Sequence, residues 1–454
     1  MFFQQLPQHG HNLALIEGEQ RLDYLQLQQQ VDAFKQRLPV AGLVLLKASN
    51  NIPSMVAYLA CLQAQLPMIL VDKKINDGYQ QTLVDTFKVN ALIADGEVQV
   101  LSTSAVNIDP QLALLLSTSG STGSPKQVAL SAANLQANAQ SICDYLPIES
   151  SDVTITTLSP HYSYGLSVIN SHLLAGASIV LNEHSVISRE FWQTFEQHQV
   201  TSFAGVPYTY EMLLRLRFTQ KSWPSLRYFT QAGGKLSEDK VSLLAEYAKQ
   251  HNQQFFVMYG QTEATARMAY NAHPDKKPAS IGKAIPKGEL SLLDDNGQTI
   301  DDCHQQGELV YRGDNIMLGY ANNATELRQF TQSDTLATGD IALRDEEGDY
   351  IICGRIKRMI KLFGVRISLD EVERILVDKG VEVAVIGNDN ALQIVLAQPN
   401  DVAAIEQLIC QKMQLHPSVV EVKLVAELPR TQNNKIDYLR VAALFLTVEA
   451  ERLD

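Results

Sequence analysis

The chain has 454 residues, 45% hydrophobic and 19% charged, which is too long for one ordinary core and predicts about two to four folding units. Its 37 basic residues stand against 50 acidic ones, and the formal charge of -13 disfavours a polyanion such as nucleic acid as partner. Collagen-like, coiled-coil and disulfide-scaffold architectures are excluded by the same composition.

The N-terminus, MFFQQLPQHGHN, lacks a basic segment followed by an apolar one, so no export signal is visible. Residues 42–47, 53–66 and 68–71 read as strand, helix and strand. The apolar window 55–71 is interrupted by Gln63, Gln65 and Pro67 before it reaches membrane-spanning length. The same rhythm returns at 153–158, 168–174 and 178–181, and strands are predicted again at 202–204 and 227–231. Alternating strands and helices predict mainly parallel sheets covered on both faces. The five cysteines (Cys61, Cys143, Cys303, Cys353, Cys410) are far apart and odd in number, which predicts buried apolar thiols in a reducing compartment and no structural zinc. A cytoplasmic protein is expected.

From about residue 288 the segments shorten around Asp-Asp-Asn-Gly (294–297), Arg-Gly-Asp (312–314) and Glu-Glu-Gly-Asp (346–349), which predict hairpins in a small β unit. The chain turns basic after Gly354 and then resumes mixed patterning, with Ser368 and Glu371 as a capping box opening a helix over 369–377. The expected fold is therefore α/β. A large N-terminal region of α/β subdomains, residues 1–355, carries a small β-barrel-like unit at about 288–355. A small α+β C-terminal domain follows at 356–454.

The stretch LLLSTSGSTGSPKQVALS (114–131) is an apolar run, eight residues of only Ser, Thr and Gly, then Pro125 and Lys126. Glycines let backbone N–H groups approach an oxyanion, hydroxyls donate to it, and the lysine supplies charge. A flexible linker has a similar composition, but this loop leaves one strand-like run and enters another. A Walker loop would need Gly-Lys-Ser/Thr and a hydrolase elbow Gly-x-Ser-x-Gly, and neither spacing is present.

TSGSTGSPK resembles the phosphate-loop signature of the adenylate-forming superfamily, which includes acyl- and aryl-CoA synthetases, nonribosomal peptide synthetase adenylation domains and luciferase. The superfamily's other motifs follow in order: MYGQTE (258–263), Gly307-Glu308-Leu309, Arg312-Gly313, Gly319-Tyr320, Thr338-Gly339-Asp340, GRIKRMIKLFGVRISLDEVE (354–373) and LPRTQNNKID (428–437). The resemblance covers nearly the whole chain. It implies an N-terminal AMP-binding domain, a mobile C-terminal lid, and ATP-dependent conversion of a carboxylic acid to an acyl-adenylate with loss of pyrophosphate. The acyl group would then pass to the thiol of coenzyme A or of a carrier protein's phosphopantetheine.

By the same resemblance Thr118, Ser119, Gly120, Ser121, Thr122, Gly123 and Lys126 would hold the β- and γ-phosphates. Gly233, Tyr259, Gly260 and Gln261 would lie against the nucleotide, with Tyr259 stacking on adenine. Thr262 would touch the α-phosphate and Glu263 would help hold Mg²⁺. Asp340 would accept from both ribose hydroxyls, Arg355 would contact the ribose and Arg366 the phosphate. Lys435 would reach the reacting oxygens during adenylation. Lys357 would be the hinge about which the small domain turns between the two steps, with Gly364 leaving room for the incoming thiol. Gln127, Ala132 and Asn434 depart from the family's usual Gly, His and Gly, and none of these changes removes a charged group.

The acyl pocket implied by the resemblance is formed around His161, Tyr162, Tyr164, Gly165, Gly205, Gln231 and Gly234 and by the residues after Glu263. No acidic residue occurs from 157 to 170, where amino-acid-activating relatives place the Asp that pairs with a substrate ammonium. That favours a fatty, aryl or other small carboxylic acid. Arg267 would either pair with a second acid group on the substrate or make a structural salt bridge. Two alternatives stand beside this reading: a freestanding amino-acid adenylation enzyme loading a carrier protein, and a catalytically silent nucleotide-binding homologue. The presence of Lys126, Glu263, Asp340, Arg355 and Lys435 argues against silence.

Overall fold

The computed structural model describes residues 1–104, 107–117, 126–362, 365–388, 390–397, 401–413, 415–431 and 436–446, with only the backbone at 361, 365, 366 and 446. The chain divides into two compact units, one formed by Met1–Leu290 with Val310–Leu336 and the other by Ser291–Leu309 with Ala337–Asp454.

The first unit holds two large sheets. In the nine-stranded sheet the strands Gln254–Tyr259, Tyr228–Gln231, Ser202–Gly205, Val153–Ile155, Ser178–Val180 and Leu13–Glu17 run parallel in that spatial order, and antiparallel strands close both edges. The seven-stranded sheet has a parallel centre of Leu112–Ser117, Met68–Asp72, Val44–Ala48 and Ala91–Ala94, again with antiparallel flanks. Strands covered on both faces need unbroken apolar side chains rather than alternation, and Val44–Leu46 and Met68–Val71 are buried at every residue.

A single core joins the two sheets: Leu15 and Ile179 from one meet Val44, Leu70 and Leu114 from the other across helices Ile52–Gln63 and Ser163–Ala175. Helix Ile52–Gln63 starts where Asn51 accepts from the Ser54 N–H and Pro53 supplies a preset φ, and ten of its twelve residues are buried. Helix Ser163–Ala175 ends at Gly176, whose φ of 75° few other residues adopt cheaply. On the far side of the nine-stranded sheet, Phe195, Phe203, Phe218, Trp223 and Phe229 build a second, aromatic core.

The second unit carries a four-stranded sheet in the order Glu289–Leu293, Gly307–Arg312, Thr335–Arg344, Tyr350–Arg355. Its C-terminal part is a hairpin of Met359–Leu362 and Val365–Ser368, a three-stranded sheet of Val383–Gly387, Leu392–Ala397 and Val420–Val425, and three helices. The turn at 346–349 closes the expected hairpin, with Asp345 Oδ1 accepting from the Glu347 and Asp349 N–H groups and Gly348 at φ 83°. Ser368 Oγ accepts from the Glu371 N–H at the start of helix Leu369–Val377, as the capping pattern predicts.

Two expectations are corrected. Arg-Gly-Asp at 312–314 closes no hairpin: strand Gly307–Arg312 belongs to the four-stranded sheet, whereas Gly319–Ala321 pairs with Gln127–Ser131 at the edge of the seven-stranded one. The turn is instead packed against Tyr311, whose hydroxyl donates to Asn315 Oδ1 at 2.7 Å, and a Cβ on Gly313 would lie 2.4 Å from that hydroxyl oxygen. The cysteines are not uniformly buried. Cys61 and Cys410 are, Cys143 and Cys353 are half-buried, and Cys303 is exposed in the polar connection 294–306. Burial pushes the thiols of Cys61 and Cys143 up to about 12, so both stay protonated. Among the described residues no helix is long and apolar enough to cross a membrane.

Candidate active site

Three neighbouring parallel strands end at Gly205, Gln231 and Tyr259, with Gly205 paired to Gln231 and Gln231 to Val257. The carboxyl ends of parallel strands are where an open α/β sheet leaves a crevice, because the chain must turn there into its next helix. Of the sequence-predicted residues, Gly205, Gln231 and Tyr259 end these strands, and Gly233, Gly234, Gly260, Gln261, Thr262 and Glu263 follow directly after them.

After Tyr259 the chain doubles back on itself. Gly260 is required by close approach, since a Cβ there would lie 1.6 Å from the Ala266 carbonyl oxygen. The short helix Thr262–Ala264 follows, and Thr265 takes a positive φ of 65° while its hydroxyl donates to the Asn315 carbonyl. Asn315 in turn donates to the carbonyls of Ala264 and Arg267, so the loop bearing Thr262 and Glu263 is held from below by buried hydrogen bonds. Gln261 Nε2 lies 3.4 Å from the Tyr259 hydroxyl.

Thr262 Oγ1 lies 3.2 Å from Ser163 Oγ at the start of helix Ser163–Ala175. Glu263 Oε1 accepts a 2.8 Å hydrogen bond from the Tyr320 hydroxyl, and the Glu263 carbonyl accepts from the Met317 N–H. Lys126 Nζ sits 3.5 Å from the centre of the Tyr320 ring. One tyrosine thus carries both a carboxylate and an ammonium. Burial and the adjacent Glu263 charge push the Tyr320 hydroxyl well above the usual phenol range, so it remains a donor. Residues 118–123 of the predicted phosphate loop lie outside the described residues, but the buried strand before them, Leu112–Ser117, and the strand after them, Gln127–Ser131, pair antiparallel.

The predicted acyl-pocket residues also lie in this unit. A Cβ on Gly233, at φ 83°, would meet the Tyr162 hydroxyl at 2.4 Å, so Tyr162 closes over this glycine. Gln231 Nε2 donates to the Gly234 carbonyl, and Gly165 packs against the Ser159 carbonyl. Gly205 leaves room for Tyr210, whose hydroxyl donates to the Thr230 carbonyl. His161 Nδ1 lies 2.6 Å from Ser159 Oγ and 3.8 Å from Asp72, and burial lowers the imidazole's pKa. Arg267 is buried against Tyr164, Tyr145 and Met258.

In the second unit Asp340 and Arg355 face each other across an antiparallel ladder, and Arg355 Nε donates to Asp340 Oδ1 at 2.9 Å. Asp340 is buried and Arg355 exposed. Lys357 is exposed in the short turn Ile356–Arg358. The neighbouring Arg358 is tied to Asp370, to Glu373 at 2.9 Å, to the Val385 carbonyl, and to the face of Tyr438. Lys435 and Gly364 lie outside the described residues, as does the side chain of Arg366.

Tyr320 is a residue that the motif Gly-Tyr marked without giving it a role. Asn315 carried no motif signal, and the motif around Ser163 did not show its contact with Thr262, because their partners are about 50 and 99 positions away in sequence. Glu263 offers a hard carboxylate oxygen suited to Mg²⁺, an ion that takes one or two carboxylates and completes its shell with phosphates and water.

A family model for AMP-binding enzymes matches residues 104–321. The oxalate–CoA ligase of Arabidopsis thaliana is 30% identical over 373 residues, covering 78% of this chain and 72% of that protein. The D-alanine–D-alanyl carrier protein ligase of Bacillus licheniformis is 26% identical across 94% of this chain and 95% of its own. The fold is shared with O-succinylbenzoate coenzyme A synthetase from Bacillus subtilis in complex with AMP, at a TM-score of 0.80, 21% identity and 96% coverage of both chains. The chain belongs to the family of AMP-binding, adenylate-forming enzymes and is an ATP-dependent acid–thiol ligase.

Proposed function

We propose that the chain activates a small organic acid on ATP and delivers the acyl group to coenzyme A. In the first step a carboxylate oxygen of the acid attacks the α-phosphorus, the bond to the bridging oxygen breaks, and pyrophosphate leaves with that electron pair. In the second a thiolate, its proton lost to solvent, attacks the acyl carbon and AMP leaves. Activation is needed because a free carboxylate would have to expel oxide, whereas an acyl-adenylate expels a stabilised phosphate.

The observation that carries this reading is the Lys126–Tyr320–Glu263 assembly beside Thr262. Phosphoryl transfer builds charge on the transferring group, and preorganised donors and cations are the means of stabilising it. By the resemblance Lys126 would meet the phosphates, Thr262 would offer its hydroxyl to the α-phosphate, and Glu263, which accepts from the Tyr320 hydroxyl, would hold Mg²⁺. Mg²⁺ held by Glu263 would offset the negative charge of the phosphates. By the resemblance Thr118, Ser119, Gly120, Ser121, Thr122 and Gly123 cradle the phosphates, Gly233, Tyr259, Gly260 and Gln261 line the nucleotide, and Asp340 with Arg355 takes the ribose. Lys435 and Arg366 serve the reacting oxygens, and the segment after Lys357 turns between the steps.

Coenzyme A as acceptor is supported by the relatives named as coenzyme A ligases. Transfer to a carrier protein's phosphopantetheine is the second reading, favoured by the full-length match to a carrier-protein ligase. An α-amino acid is disfavoured because the wall at 157–170 has no carboxylate and Arg267 adds a cation. The test is ATP–pyrophosphate exchange across a panel of acids, followed by thiol consumption with coenzyme A and with phosphopantetheinylated carrier proteins. Acid-dependent exchange with coenzyme A turnover supports the first reading; turnover only with a carrier protein supports the second.

A further inference from the structure

Arg267 is 1% exposed, the largest fully buried side chain among the described residues. A guanidinium is charged at every accessible pH, and burying it without a counter-ion costs several kcal/mol. Its surroundings supply no anion. The guanidinium carbon stands 4.4 Å from the centre of the Tyr164 ring, Nη1 lies 3.1 Å from the Tyr145 hydroxyl oxygen and against Met258 Sδ, and Nε has no hydrogen-bond partner. Tyr145, Tyr162, Tyr164 and His172 all feel its charge, and all four are neutral at physiological pH. No carboxylate among the described residues pairs with it, which removes the structural salt bridge as its reason for being there. Its backbone carbonyl does brace Asn138 and Asn315, but any residue's carbonyl could do that.

The position of this unpaired cation relates it to the reacting centre. Ser163 and Tyr164 are consecutive at the start of helix Ser163–Ala175; Ser163 Oγ touches Thr262 Oγ1, and Tyr164 carries the guanidinium on its face. Tyr162, just before them, closes over Gly233. Arg267 also lines a cavity of about 10 Å³ together with Thr154, Ser171, His172, Ser202, Tyr228 and Thr230, which is room for about one water. Two consecutive residues of one helix thus touch the Thr262 hydroxyl and the Arg267 guanidinium.

We propose that Arg267 is the receptor for a second anionic group on the acid, and that the substrate is a short dicarboxylic acid with one carboxylate at Thr262 and the other on Arg267. This rests on the ligase reading above. The incoming carboxylate would occupy the free Nε and replace the weak π contact with a charge-assisted, bidentate pair. A monocarboxylic acid of the same length would leave the cation buried and unpaired.

The experiment compares kcat/KM in acid-dependent ATP–pyrophosphate exchange for short α,ω-dicarboxylic acids and for monocarboxylic acids of equal chain length, using the full-length protein. Truncating one partner of a buried charge pair costs roughly 100-fold or more in binding, so the wild type should prefer the best diacid over its matched monoacid by about that factor. Arg267→Leu should bring the preference within about tenfold, chiefly by raising KM for the diacid, and Arg267→Lys should fall between. The wild-type comparison needs no variant to fold. A wild type that uses the matched monoacid equally well or better overturns the inference while leaving the ligase reading intact, as does an Arg267→Leu enzyme that keeps the diacid preference. Exchange with no acid at all overturns the ligase reading and this inference with it.

Discussion

The Tyr320 hydroxyl donates a 2.8 Å hydrogen bond to Glu263 Oε1 although the two residues are 57 positions apart. The same ring supports Lys126 at 3.5 Å. Tyr320 therefore acts as a positioning residue for both charges. Tyr320→Phe keeps the platform and removes the hydrogen bond. A bond to a charged group is worth about 1.5–3 kcal/mol, so the adenylation rate should fall roughly 10- to 100-fold with a raised Mg²⁺ requirement. Tyr320→Ala should lose more, because Lys126 is then also released. Exchange rates titrated with Mg²⁺ check this; a Phe variant with an unchanged Mg²⁺ dependence would refute the positioning role.

Asp340 is buried beneath the exposed Arg355 and accepts from its Nε. One carboxylate oxygen fixed by the arginine leaves the group oriented for two vicinal hydroxyls. Asp340→Ala should raise KM for ATP at least about tenfold and change KM for the acid much less. Equal effects on both substrates would show a general structural loss, and a melting curve on the same sample separates the cases.

His172 is enclosed by the Val168 carbonyl, the Ser202 hydroxyl and the Tyr228 hydroxyl, and burial depresses its imidazole from the ordinary 6.5 to about 4. As pH falls below 6.5 the unfolded chain takes up this proton first. Stability supplied by the neutral imidazole is thus complete above 6.5 and is withdrawn down to about pH 4, by about 3 kcal/mol in all. His172→Gln should show a shallower acid-side decline in denaturant-derived stability. Parallel curves for the two proteins would contradict the assignment.

Lys357 lies in an exposed turn directly before Arg358, which Asp370, Glu373, Val385 and Tyr438 bind to the C-terminal segment. A proline at 357 fixes φ at a residue proposed to turn between the two steps. Lys357→Pro should leave ATP–pyrophosphate exchange near wild type and slow thioester formation at least about tenfold. Transfer as fast as adenylation would rule out the hinge.

The parallel sheets were legible because buried strands and helices each impose a local pattern, as at 44–48 and 52–63. Candidate site residues could be named only where motif order supplied the long-range information: Tyr259, Glu263 and Asp340 are ordinary residues singly. What the sequence could not display is pairing across distance. The Arg-Gly-Asp turn looks like any hairpin turn, and only strand partnership shows that it leads from one sheet to another. The isolation of Arg267 was equally invisible, since a lone arginine reads as a salt bridge until its neighbours are known to be tyrosines and a methionine.

The central claim, adenylation of a carboxylic acid at the Lys126–Tyr320–Glu263 site, is tested most directly by ATP–pyrophosphate exchange with and without added acid. The account predicts exchange that requires both Mg²⁺ and an acid and is abolished in Glu263→Ala. Exchange that proceeds equally without an acid, or its absence with every acid despite measurable ATP binding, would contradict it.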